Sequence, residues 1–139
     1  MGDGVAGKQG MNLAAFFAIG GGAALGAWSR WGLGLLLNPL FVAIPLGTLA
    51  ANLIGGYLVG VALGVFHQYT HLSPELKLFI ITGFLGGLTT FSSFSGEVME
   101  RFLAQQYTWA FSAMGLHLFG SLAMTWLGLL TVGVHKVWP

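Results

Sequence analysis

Apolar residues run along this chain in four long blocks, at about residues 11–37, 45–66, 75–106 and 109–135, with short polar stretches between them. No block carries the charged face that a helix at the surface of a water-soluble protein shows. Each has the length that a helix needs to cross a bilayer, about 20 apolar residues. The pattern predicts an all-α integral membrane protein of four transmembrane helices. Asn38-Pro39 stops the first, because the residue before a proline is pushed out of helical geometry. Pro45 suits the first turn of the second, and Ser73-Pro74-Glu75 reads as the start of the third: a capping hydroxyl, a proline in the first turn and an early acid.

The third block departs from the pattern. Between Gly83 and Glu97 it reads GFLGGLTTFSSFSGE, a run of glycines with five hydroxyl side chains. In lipid, a backbone freed from a helix survives only where protein buries it or a wet cavity solvates it. The run therefore predicts a helix broken at the midplane, near residues 86–92. Leu76–Leu85 is too short to span alone. Gly86 and Gly87 fit the C-terminus of this first half, and Thr89 or Thr90 can cap the second. A break of this kind offers carbonyls to a cation and amides or hydroxyls to an anion, which marks it as a permeation or binding site. Phe91 and Phe94 share a face, with Ser92, Ser93 and Ser95 interleaved. The spacing fits core packing, and it also fits two ring edges turned toward an anion.

Small residues recur every fourth position. Gly22, Gly26, Arg30 and Gly34 form a stripe on the first helix; Gly56, Gly60 and Gly64 form one on the second, with Gly47, Ala51 and Gly55 beside it. Such stripes let helices approach closely in lipid. Arg30 reads either as a residue snorkelling to the headgroups or as an electrostatic or structural anchor at a pore vestibule. Asn52 reads as interhelical glue or as a pore-lining amide. His67 and His71 lack a carboxylate or thiol to complete a zinc site and read as loop histidines. His117 reads as a hydrogen-bonded histidine between helices, and Glu97, Glu100 and Arg101 as interfacial charges.

Composition sharpens this picture. The chain is 55% hydrophobic and 6% charged, against about a quarter charged in soluble domains. Cysteine is absent, which excludes disulfides and thiolate metal sites, and a net charge of +1 excludes a nucleic-acid partner. Residues 1–10 are too polar and glycine-rich to bury a core and read as a flexible tail. Lys8, Lys77 and Lys136 fall on one side of four spans, Arg30 and Arg101 on the other. With so little bias the positive-inside rule allows both orientations, and an antiparallel homodimer would supply the partners the glycine stripes need.

GGAALGAWSRWGLG in the first helix, GTLAANLIGGYLVG in the second and GFLGGLTTFSSFSGE in the third closely resemble the Fluc/CrcB family of bacterial fluoride channels. The resemblance runs from Met11 through essentially the whole chain, with Ser93 standing where the family often has threonine. It implies a channel, not an enzyme: a dual-topology homodimer in the bacterial inner membrane that exports cytoplasmic fluoride passively through two antiparallel pores. It further implies a structural sodium ion at the dimer centre, held by the carbonyls of Gly86 and Thr89 of each subunit. Asn52 would line the pore and orient Phe91, Phe94 and the anion, while Ser92, Thr48 and Ser121 would offer further polar contacts. The competing reading is a small dual-topology, proton-coupled multidrug exporter. Such an exporter needs a tunable carboxylate within the membrane, and the first two helices contain none.

Overall fold

The computed structural model describes residues 12–133; the tail at 1–10 and the end of the chain with His135, Lys136 and Trp138 lie outside them. Among the described residues all regular structure is helical. Helix α1 spans Leu13–Leu37 and α2 spans Leu46–Gln68. The third span is composite: α3 at Pro74–Lys77, a π-helical stretch at Leu78–Leu85, α4 at Gly86–Leu88, and then α5 at Phe91–Leu103. Helix α6, Tyr107–Val132, completes the chain.

Leu46–Gln68, Pro74–Leu103 and Tyr107–Val132 are each long and apolar enough to cross a membrane. Helix α1 has the length, at 25 residues and thus about 37 Å, but its glycines and Arg30 dilute its apolarity. The protein is a membrane protein, and its packing follows the logic of lipid. The most buried side chains are small, with Ala51 and Ala110 fully covered, while Phe17, Trp28, Trp31, Leu36, Phe119 and Trp126 point outward. Large apolar residues gain nothing by leaving hydrocarbon, so close backbone contact between small residues holds the helices together.

Helix α1 lies on the first half of the third span. A Cβ on Gly22 or Gly26 would strike the carbonyls of Phe79 or Phe84, and one on Gly83 would come 2.7 Å from the Ile19 carbonyl. Helix α2 lies on α6 in the same manner, with Gly60 against the Thr125 carbonyl and Gly128 against that of Tyr57. The Thr125 hydroxyl donates across this seam to the Gly56 carbonyl at 3.0 Å. Asn38 joins α1 to α2 by accepting from the Gly47 amide at 2.8 Å.

Several boundaries differ from the pattern-based expectation. Pro45 caps α2 from outside its first turn. The third span stops at Leu103, short of Gln106, because Gln105 takes a left-handed φ of 57°. The Gln106 amide then bonds back to the Arg101 carbonyl and the Gln105 amide to that of Phe102. This is a Schellman closure with glutamine where glycine is usual.

Candidate functional site

Gly86 and Gly87 lie in the last turn of the first half, which ends at Leu88, so the break at Thr89 and Thr90 falls within the expected residues 86–92. The chain becomes extended at Thr89, with ψ 154°, and at Thr90, with ψ 121°. Asn52 of α2 causes this. Its Oδ1 accepts the Thr90 amide at 2.8 Å and its Nδ2 donates to the Thr90 carbonyl at 3.0 Å. A side chain that satisfies both backbone groups of one residue replaces the helical ladder there. Thr90 in turn caps α5, its hydroxyl accepting the Ser93 amide at 3.1 Å.

The diverted amides leave carbonyls behind. In a continuous helix the Thr90 amide would serve Gly86 and the Ser93 amide would serve Thr89. Both now serve side chains, and among the described residues the Gly86 and Thr89 carbonyls have no donor. The Gly87 carbonyl between them accepts from Arg30 Nε at 3.1 Å, while Arg30 Nη1 stands 3.5 Å from Ser93 Oγ. Arg30 is therefore an anchor of the break and does not snorkel. These free oxygens, neutral and hard, are of the kind that holds sodium or another hard cation.

On the α6 side of the break lies a cavity of about 350 Å³, whose walls include Asn52, Thr89, Phe91, Phe94, His117 and Ser121. Phe91 and Phe94 meet edge to face at 5.5 Å, and Phe94 stacks on His117 at 4.5 Å between centroids. His117 Nδ1 lies 2.9 Å from Asn52 Nδ2. Asn52 is thus both interhelical glue and a cavity wall. Of the other residues singled out in the sequence, Ser92 is exposed and reaches the Thr90 hydroxyl at 3.3 Å. Thr48 lies off the cavity, donating to Glu97 Oε1 at 2.5 Å. Glu97 is thus bonded across to α2, and Arg101 bonds Gln106. Thr48 and Glu97 stand 49 positions apart, and no local signal could have joined them.

Residues 17–129 match the family described as CrcB-like protein, Camphor Resistance (CrcB). The chain belongs to that family. Among its relatives, the Fluoride-specific ion channel FluC of Dechloromonas aromatica (strain RCB) is 68% identical over 123 residues, 88% of this chain and 91% of the relative. The protein of the same name from Nitrosospira multiformis is 61% identical over 122 residues, covering 88% and 95%. That from Pseudomonas putida (strain W619) is 55% identical over 119 residues, covering 86% and 94%. The family match takes in the whole site, from Arg30 through Asn52 and the break to Ser121. These relatives are named as channels, not as enzymes.

Proposed function

We propose that this chain is a fluoride-selective channel that exports cytoplasmic fluoride passively across the bacterial inner membrane and so relieves its toxicity. Its relatives carry the name of fluoride-specific channels. The observation that carries the reading is the opening at Thr89 and Thr90, held by Asn52 beside the Phe91–Phe94 pair. Fluoride holds its water tightly, so a narrow path must replace that water with donors. Ser92 and Ser121 supply hydroxyls, while the Thr48 hydroxyl is taken by Glu97, and the ring edges of Phe91 and Phe94 supply polarised C–H groups. Both Asn52 amide hydrogens are engaged, on Thr90 and His117, so Asn52 acts by orienting the break and, through His117, the Phe94 ring. Arg30 places a positive charge at the vestibule beside Gly87. A hydrated anion would gather there before entering.

The functional unit in this reading is an antiparallel homodimer with two pores. The carbonyls of Gly86 and Thr89, with their equivalents in a second copy, would hold a sodium ion. Bound there, sodium would supply a structural cross-link between two broken helices whose freed oxygens have no donor among the described residues. No energy coupling is needed: fluoride that entered as HF leaves down the electrical gradient.

The test uses liposomes loaded with fluoride or chloride, with potassium free to follow. Fast fluoride release and little chloride release are expected, and comparable chloride release rejects the reading. Transport that depends strictly on a proton gradient would instead favour the exporter, with Glu97 as its carboxylate. Labelling a cysteine introduced at exposed Thr70 should reach about half the copies from one side if both orientations coexist. Labelling of nearly all copies excludes the antiparallel dimer.

A further inference from the structure

Asn52 is not the only residue of α2 that meets the break. Gly55 follows it by three positions, on the same side of the helix, and is buried against Thr89. A Cβ on Gly55 would overlap the Thr89 Cγ2 methyl and lie 3.8 Å from Leu88 Cδ2. Gly60 and Gly128 make room for the backbone of a neighbouring helix, whereas Gly55 makes room for one methyl group of the residue at which the third span turns extended.

That methyl is seated from two directions. The Thr89 amide and hydroxyl both donate to the Leu85 carbonyl, at 3.0 and 2.7 Å. A β-branched side chain is stiff about its first bond, so with the hydroxyl held there the methyl has one place to go, and Gly55 receives it. The Thr89 carbonyl and the Thr90 amide belong to one planar peptide, which is trans. Asn52 Oδ1 takes the amide end of that plane at 2.8 Å. The carbonyl end therefore points away from Asn52, as one of the two oxygens that the break frees.

We infer that Gly55 is a positioning residue of the cation site: by seating the Thr89 methyl it sets, together with Asn52, the direction in which the Thr89 carbonyl points. This rests on the sodium reading above. A binding constellation works when its groups are held within about 0.5 Å of the productive geometry. Non-bonded carbons pack at about 3.5–4.0 Å, so a Cβ on Gly55 would displace Thr89 by more than that tolerance. Helix α2 has no room to retreat, because Gly56 and Gly60 already hold it against the Ser121 and Thr125 carbonyls of α6. The displacement falls on the break.

The experiment follows the Tm of the full-length protein in detergent as sodium chloride replaces N-methylglucamine chloride at constant ionic strength. An ion that binds only the folded protein raises its Tm, and the wild-type Tm is expected to rise with sodium. In Gly55→Ala the rise should set in at about tenfold more sodium or higher, the usual cost of losing a group that orients a metal ligand. Gly64→Ala, whose Cβ would meet only the Val132 side chain at 2.9 Å, should change the Tm without moving that onset. Combining Gly55→Ala with Thr89→Ser, which removes the methyl and keeps the hydroxyl, should return the onset toward the wild-type value. An onset unchanged in Gly55→Ala, or no recovery in the double variant, overturns the inference. If Gly55→Ala alone does not fold, the double variant must fold and respond to sodium, and its failure to do either overturns the inference. A wild-type Tm indifferent to sodium overturns the sodium reading and this inference with it, and leaves the fluoride reading standing.

Discussion

Gly60 and Gly86 both lie within membrane-length helices, and the structure uses them in opposite ways. At Gly60 a Cβ would fall on the Thr125 carbonyl of α6, with the Leu129 amide 2.9 Å away. The need for glycine there is met wholly inside one chain. At Gly86 the backbone is ordinary right-handed helix, and a Cβ would meet nothing nearer than the Ile81 carbonyl at 3.8 Å. The turn at the break does not require glycine, contrary to what the paired glycines suggest, and Gly86 is exposed in the single chain. Nothing in the protomer's own packing demands a glycine there, and the dimer proposed above would give it a neighbour. The glycines of α2 and α6 build the protomer, while Gly86 has no such task within it.

The largest effect that would test this contrast belongs to the internal seam. In Gly128→Leu the new side chain would start on the Tyr57 carbonyl, and overpacking against backbone costs about 1–3 kcal/mol or more. Loss of folded, monodisperse protein on size exclusion is expected. Gly115→Leu on the same helix has open space around it and should retain the wild-type melting temperature. Equal behaviour of the two variants would break the comparison.

A smaller but functionally sharper effect is expected at the break. Asn52→Leu strips both partners from the backbone of Thr90, which is 9% exposed, and each unpaired group costs about 1–3 kcal/mol. Fluoride flux in liposomes should fall by at least about tenfold as the break closes or disorders. Undiminished flux would mean that the break holds itself open. The smallest effect on the single chain is expected for Gly86→Ala. Helical content by circular dichroism should be unchanged, since a surface substitution in open space shifts stability within about 0.5 kcal/mol. The dimer fraction on cross-linking should nonetheless fall. A dimer fraction equal to wild type would place Gly86 away from the contact between copies.

The helical class and the membrane setting were legible from hydropathy alone, because a helix in lipid must satisfy its backbone internally and show apolar side chains outward. The glycine stripes were legible for a related reason: spacing by four puts them on one face whatever the neighbour is. Other features were not. Gly86-Gly87 does mark the end of the half-helix, which closes at Leu88, but nothing local shows that Asn52 takes hold of Thr90. The neighbours of Glu97, Glu100 and Arg101, give no sign of its bond from Thr48, 49 positions away. His117 gave a single hint, a lone imidazole in an apolar block, with no local sign that Asn52 would be its partner.

The sequence by itself determined that this chain is helical, lies in a membrane and must interrupt its third span among glycines and hydroxyls. Those properties follow from covalent identity and local periodicity, which no fold can change. Only the tertiary structure decided which of the two threonines caps the second half, which carbonyls the interruption frees, and that His117 meets Asn52. Each of these depends on one amide of α2 choosing partners 38 and 65 residues away. A hydrogen bond is directional and short, so that choice exists only once helix packing has brought the three residues together.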